Sequence, residues 1–431
     1  MDTDLSDNEC TGNFDHLPAR VLTTDARLFR KCKPTLHDLS EASRINRVTE
    51  TPTAKRCKMS KRVTQVSSPH RMRWHQNRDL KTAIIPESEA QCTMMFHASR
   101  NIIDSSASCF QYFFSDNIVN KIVDETNKYA IQKGKPLFVT SAEVRTLCAI
   151  LLLSGYVRLP NRRMYWSSDE DVFNRAVLLG MRRDRFDSIM ANLHFADNFQ
   201  MDNNDRFYKV RLLFNHFNDV SKVLPLTANL CVDESMIKYY GGHPAKQFIK
   251  GKPIKYGFKL WSLASPEGYL YQCEPYCGKD TKLKKNENGS AYDVVIGLAE
   301  KCNVPKGSRI YFDSYFTGFP LLEELSRRGI GGTGTMRTNR LRDCPLKTDT
   351  ENIRERGDIS FASRGSILAC MWYDNKKVFM ASNCDTVTPK VDALRWNDRE
   401  KKRKTIQMPR WVYFLVVFIS LLKGLFLISG L

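Results

Sequence analysis

The sequence predicts a mixed α/β fold: a sheet with crossover helices, preceded by an α-helical region and a basic tail. Three observations predict it. The texture changes near Leu230, from long segments with helical spacing to short apolar segments separated by turns. From there the elements run strand, strand, strand, helix, strand, helix, strand, an order that needs crossover connections and so a mixed sheet. Roughly the first 90 residues have few aromatics and no sustained apolar periodicity, the composition of a disordered segment.

A length of 431 residues allows two or three domains at about 150 residues each. Apolar residues make up 42% and charged residues 26%, which excludes a wholly disordered chain. Only one long apolar run occurs, which excludes a multi-span membrane protein. Lys and Arg total 66 against 47 acids, a net charge of +19, which suits a polyanionic partner such as nucleic acid. Met1 to Asn8 is acidic and polar, unlike a secretory leader, and the 13 cysteines are scattered singly, so the thiols read as reduced and intracellular.

The disordered basic tail is placed at residues 1–94. Within it, residues 44–81 carry eleven Lys or Arg against two acids. KRCKMSKR (55–62) and RMRW (71–74) read either as a nuclear-localisation or DNA-phosphate patch or as a solvated linker. Residues 95–225 follow as an α-helical domain rich in Arg. Ile118, Ile122 and Val123 sit at helical spacing in Asp116 to Tyr129. Thr140-Ser141-Ala142-Glu143 is a capping box before the apolar stretch Val144 to Leu153. Ser168 to Asp171 is expected to open a further helix. Phe186, Ile189, Met190 and Leu193 form the apolar stripe of another.

Strands are expected at Asn229 to Val232, Phe258 to Ala264 and Tyr269 to Glu274, the last two joined by a Pro-Glu-Gly turn. A helix over Ala291 to Cys302 precedes a strand over Arg309 to Phe312. A second helix, Phe319 to Arg328, precedes a strand over Gly332 to Met336. This is the element order of an RNase H-like fold, assigned to 226–340.

Two carboxylates stand out. Asp233 follows one apolar strand and Asp313 another, so both are expected at the sheet's C-terminal edge, where ligands of open α/β sheets gather. On neighbouring strands their oxygens could share a hard divalent cation such as Mg²⁺. An Asp that merely starts a turn is the simpler alternative for either one alone. Cys273 and Cys277 lack a second pair at zinc spacing and read as core thiols. GIGGTG (329–334) follows a helix and precedes a strand, the wrong order for a dinucleotide site, and no P-loop occurs. The Gly251 turn could approach a phosphate, though a plain β-turn also accounts for it. No small-molecule substrate is expected.

VDESMIKYYGGHPAKQFIKGKPIKYGFKLWSLASPEGYLYQCEPYCGK (232–279) resembles the piggyBac transposases and their domesticated relatives. So do ETNKYA (125–130), LLSGYVRLPNRRMYW (152–166), RDRFDSIMANLHFADN (183–198), YFDSYFTGFPLL (311–322) and GTGTMRTNRLRDCPL (332–346). The likeness runs from about residue 95 to about 410, with the motifs in order. It implies an RNase H-like core with 341–410 as an insertion and partial return to the core, a helical DNA-binding and dimerisation domain at 95–225, a homodimer, a nuclear location and DNA as partner. It further implies aspartates that hold Mg²⁺ for strand cleavage and transfer, with Asp233 and Asp313 matching the first two. Lys246, Lys250, Lys252, Lys255, Arg337 and Arg340 then become candidate DNA contacts.

The family's third aspartate lies in an EYNKHMGGVD-like segment, and no Gly-Gly-Val-Asp occurs here. Asp385, Asp392 and Asp398 precede the expected place, and none takes the role. The expectation is therefore a transposase-like DNA-binding protein that does not transpose unaided. An active Mg²⁺-dependent transposase whose last part is missing only from this sequence is the alternative. A third possibility comes from Trp411 to Leu431, 21 residues with fourteen Leu, Ile, Val or Phe, about 31 Å as a helix. That run could anchor the chain in a membrane, with KKRK (401–404) on the cytoplasmic side.

Overall fold

The computed structural model describes residues 73–80, 105–347, 355–397 and 400–412, all within the compact unit Ser68–Leu431. Local sequence sets the early helices. Ser105 caps α1 (Ser106–Phe113). The helix α2 (Asp116–Gln132) buries Ile118, Val119 and Ile122. Thr140 and Glu143 close the expected capping box on α3 (Ser141–Tyr156): the Glu143 N–H donates to Thr140 Oγ1 at 3.3 Å, and the Thr140 N–H donates to Glu143 at 3.0 Å. Arg185, on α5 (Arg183–Asn192), grips the same Glu143 through two nitrogens at 2.6 and 2.9 Å. The helices thus share one core around Val119, Val144, Leu147, Phe186 and Ile189.

The helix expected to open at Ser168 to Asp171 is α4 (Arg175–Gly180) instead. The Ser167 hydroxyl and Asp169 bond each other, and Val172 closes a turn onto Asp169. Asn174 accepts from the Val177 N–H and sets the start.

The sheet centre has the order β5-β4-β2-β6-β7, from β2 (Asn229–Lys238), β4 (Tyr256–Ala264), β5 (Leu270–Pro275), β6 (Arg309–Phe312) and β7 (Gly331–Met336). Strand β4 runs antiparallel to both β5 and β2, and β2, β6 and β7 run parallel. The crossovers are α7 (Ser290–Lys301) and α8 (Phe319–Arg327). A short β3 (Lys246–Phe248) shares the outer edge of β4 with β5. The segment expected as an insertion and partial return to the core extends the sheet. β8 (Ile359–Arg364), β9 (Ile367–Tyr373) and β10 (Lys377–Ser382) continue beyond β7, while β11 (Lys390–Asn397) and β12 (Lys402–Pro409) form a separate ribbon.

Alternation along β2 and β6 divides the interior. Leu230, Val232, Ile310 and Phe312 face α7 and α8 through Val295, Leu298, Leu322 and Leu325. Cys231 and Tyr311 face the other way, toward Trp372, Ile406 and Met408. Burial of each large side chain here contributes roughly 1.5–3 kcal/mol. The glycine run at 329–334 serves packing. A Cβ on Gly334 would lie 2.3 Å from Thr317 Oγ1 and 2.5 Å from Phe312 O, so β7 can approach β6 only without a side chain there.

Helix α6 (Tyr208–Val220) docks on β5 by polar pairing. The buried Asn218 amide donates to Cys273 O at 2.9 Å and accepts from Cys273 N–H at 2.8 Å. Cys273 and Cys277 are buried free thiols, as expected of core residues.

Part of the tail expected to be disordered is structured. β1 (His75–Gln76) pairs with β8, Trp74 packs on Phe319 at 5.0 Å, and Asp79 accepts from the Val387 N–H at 3.0 Å. One aromatic among basic residues supplies the anchor that composition did not weigh. The rest of 1–94 lies outside the described residues. So does the apolar run after Val412; Trp411 and Val412 are buried beside Met408. Among the described residues no helix is long and apolar enough to cross a membrane.

Candidate metal and DNA site

The parallel pairing of β2 with β6 ends at Val232 and Phe312. Asp233 and Asp313 are the next residue on each strand, so the register itself brings the two carboxylates together. β6 stops there, but β2 continues to Lys238. Asp233 therefore lies within a strand, not at the strand end expected from the sequence. The antiparallel partner β4 carries β2 past the point where β6 leaves it.

Glu234 joins them: one carboxylate oxygen from each of Asp233, Glu234 and Asp313 lies within 4.8 Å of the others. Glu234 is not among the carboxylates expected from the sequence. Neighbours on a strand point to opposite faces, so Asp-Glu reads as one useful acid and one bystander. No short-range signal marks Glu234, because only the end of the β6 pairing at Val232 frees the strand there.

Local backbone fixes the acids. Asp233 accepts from the Glu234 N–H at 2.8 Å. Asp313 accepts from the Tyr315 N–H at 2.8 Å, and its carbonyl accepts from Thr317 Oγ1 at 2.8 Å. Burial pushes the Asp233 carboxyl up to about 7, and the charges of Glu234 and Asp313 add to that, while Lys252 opposes it. Burial raises Asp313 as well, against the Tyr315 N–H. Oxygen donors gathered where they repel one another are the chemistry a hard divalent cation relieves.

The six candidate DNA contacts divide. Lys252 forms an ion pair with Glu234 at 3.0 Å and is part of the acid site rather than a free surface charge. Lys246 is half-buried and donates to the carbonyls of Tyr240 and Gly241 at 3.1 and 2.9 Å. Lys250 and Lys255 are exposed at the turn between β3 and β4. Arg337 is exposed after β7, its guanidinium 6.0 Å from the Tyr315 ring. Arg340 is half-buried and donates to Thr317 O at 2.8 Å, which steadies the loop that carries Asp313.

Lys259 belongs beside the site. Its ammonium lies 3.8 Å from the Trp261 ring centre and 5.2 Å from that of Tyr315. Burial lowers its pKa, and the charge of Glu234 opposes the fall. Asp385, by contrast, accepts from Thr333 and Ser382 at 2.6 and 3.0 Å. It lies outside the carboxylate cluster.

The comparisons agree with this frame. A family model described as Transposase IS4 matches residues 105–412. Human PiggyBac transposable element-derived protein 3 is 36% identical over 317 residues, 72% of this chain and 53% of that protein. Human PiggyBac transposable element-derived protein 2 is 35% identical over 316 residues, with the same two shares of 72% and 53%. The chain thus spans about half the length of these curated relatives. A cryo-EM structure of a piggyBac transposase synaptic complex with hairpin DNA superposes with a TM-score of 0.61 at 24% identity, covering 76% of this chain and 68% of that one, a likeness of fold. By the match over 105–412, borne by the same sheet that holds Asp233 and Asp313, the chain belongs to the piggyBac-type transposase family.

Proposed function

We propose that this chain is a transposase-type DNA-binding protein whose Asp233, Glu234 and Asp313 hold a divalent cation, Mg²⁺ in the cell, against a DNA phosphate. The single observation that carries the reading is the register: parallel pairing ends one residue before both aspartates. The central order β5-β4-β2-β6-β7 supports an RNase H-like description of the core. A bound Mg²⁺ would supply charge stabilisation to a phosphodiester under attack. The chain's own residues would do the rest. Asp233 and Asp313 fix the cation's place at the sheet edge. Lys252 offsets part of the acidic charge, so that a phosphate can approach. Exposed Lys250, Lys255 and Arg337 draw in the backbone by charge.

The reading includes no unaided transposition. Among the described residues the third acid of the cluster is Glu234, and Lys252 already engages it. A nuclear location and a homodimer belong to the same proposal, as does a helical DNA-binding role for 105–220. The test is a strand-cleavage and binding assay on transposon-end duplexes in Mg²⁺. Salt-dependent binding without cleavage is expected. Cleavage that Asp233→Asn abolishes would instead establish an active transposase, and absence of any DNA binding would remove the reading altogether.

A further inference from the structure

Beyond Glu234 the sequence turns uniformly basic. Between Ser235 and Pro266 there are six Lys and no acidic residue. The structure gathers much of this stretch into one ribbon tip, made by the end of β2, β3 and the start of β4. Large rings that a core would bury stand in solvent there: Tyr240 is 72% exposed, Phe248 56% and Tyr256 47%. Phe248 and Tyr256 are direct cross-strand partners, with ring centres 4.8 Å apart and tilted by 39°. Cations are interleaved with the rings. Lys238 Nζ lies 5.4 Å from the Tyr240 ring and Lys246 Nζ 5.9 Å from that of Tyr256.

The tip is shaped for access and held rigidly. A Cβ on Gly257 would lie 1.9 Å from Ile237 O, so β2 and β4 close tightly behind the rings. The turn after β3 is pinned by the Ile249 N–H to Lys255 O at 2.9 Å, and Gly251 takes φ +92° within it. From that turn Lys252 reaches back to Glu234. The ribbon is thereby tied to the acid site, about 17 Å away along five residues of β2.

Exposed aromatic faces spaced among lysines suit a strand whose bases are free to stack while its phosphates meet cations. Duplex DNA offers the phosphates but keeps its base faces covered. We propose that this ribbon tip is a platform for unpaired DNA bases, with Phe248 and Tyr256 as the stacking faces and Lys238, Lys250 and Lys255 as phosphate contacts. The proposal rests on the DNA-binding reading above and narrows it to a single-stranded segment beside the carboxylate site.

The test is fluorescence anisotropy with the full chain at fixed salt, on a labelled oligo(dT) and on a duplex of equal length. Phe248→Ala with Tyr256→Ala should weaken oligo(dT) binding about tenfold or more, the size of one or two lost stacking contacts, and change duplex binding less than about twofold. Phe248→Trp should restore much of the loss. Unchanged circular dichroism and melting temperature would establish that the variants fold. Equal losses on both DNAs, or no loss on oligo(dT), would overturn the platform while leaving the DNA-binding reading in place. A wild-type chain that binds neither DNA would overturn both.

Discussion

Among the described residues, two groups of buried or half-buried acids are treated in opposite ways. Between α6 and β5, Asp205 and Glu274 meet three cations. Arg211 bonds Asp205 at 2.7 Å and Glu274 at 3.0 Å, Lys282 reaches Asp205 at 2.8 Å, and Lys301 reaches Glu274 at 2.6 Å. At the sheet edge, Asp233, Glu234 and Asp313 meet one lysine as an ion pair, Lys252. The hydrogen bonds from Arg211 and Lys282 outweigh burial and hold Asp205 well below the usual carboxylate range. Burial and like charge lift Asp233 instead. A buried acid with its cations built in is part of the architecture. A buried acid cluster short of cations leaves room for one from outside.

The largest expected effect breaks the balanced side. Arg211→Ala would leave two buried carboxylates short of their shared partner and cost about 3–5 kcal/mol, measured by urea denaturation. The unbalanced side should respond with the opposite sign. A carboxyl whose folded pKa is raised to about 7 still holds its proton in the folded chain where the unfolded chain has shed it. Its cost to stability is absent below about pH 4 and grows as pH rises toward 7. Asp233→Asn should therefore stabilise the metal-free protein at pH 8, by up to about 4 kcal/mol, and change it little at pH 4. Melting curves at the two pH values check this.

Mg²⁺ should act on the wild type in the same direction as that substitution. Saturating metal is expected to raise stability by about 1–3 kcal/mol at pH 8, with no gain in Asp233→Asn. The smallest effect lies far from the sheet, at the α3 cap. Thr140→Ala should cost about 0.5–2 kcal/mol. The hydrogen bonds from Arg185 hold the Glu143 carboxyl at about 2, so the stability it contributes is present above pH 4 and lost as pH falls toward 2. Arg185→Gln should flatten that acid limb of the stability profile.

Much of the frame was legible because local chemistry wrote it. The capping box at Thr140 and the turn at Pro266 are short-range signals, and the short apolar segments around Leu230 and Ile310 placed the central strands. Asp233 and Asp313 were legible because each follows an apolar strand. What escaped the sequence depends on partners distant along the chain. β2 runs past Asp233 only because β4 continues beside it. Glu234 becomes part of the cluster only because β6 ends. Lys252 and Lys250 lie two residues apart in one basic turn, yet only the fold turns Lys252 inward to Glu234. Trp74 orders a short strand within a basic tail because Phe319 and Arg364 wait for it, at 5.0 and 4.9 Å.

The carboxylate cluster, as a cation site, is what the proposed function depends on most. Mn²⁺, a hard divalent probe that can stand in for Mg²⁺, can be titrated into the full chain at pH 7.5 and followed by electron paramagnetic resonance, for the wild type and for Asp233→Asn. The wild type should bind Mn²⁺ saturably, with protons released as Asp233 gives up its share, and the variant should lose that binding. Equal Mn²⁺ binding by both proteins would contradict that role for the cluster.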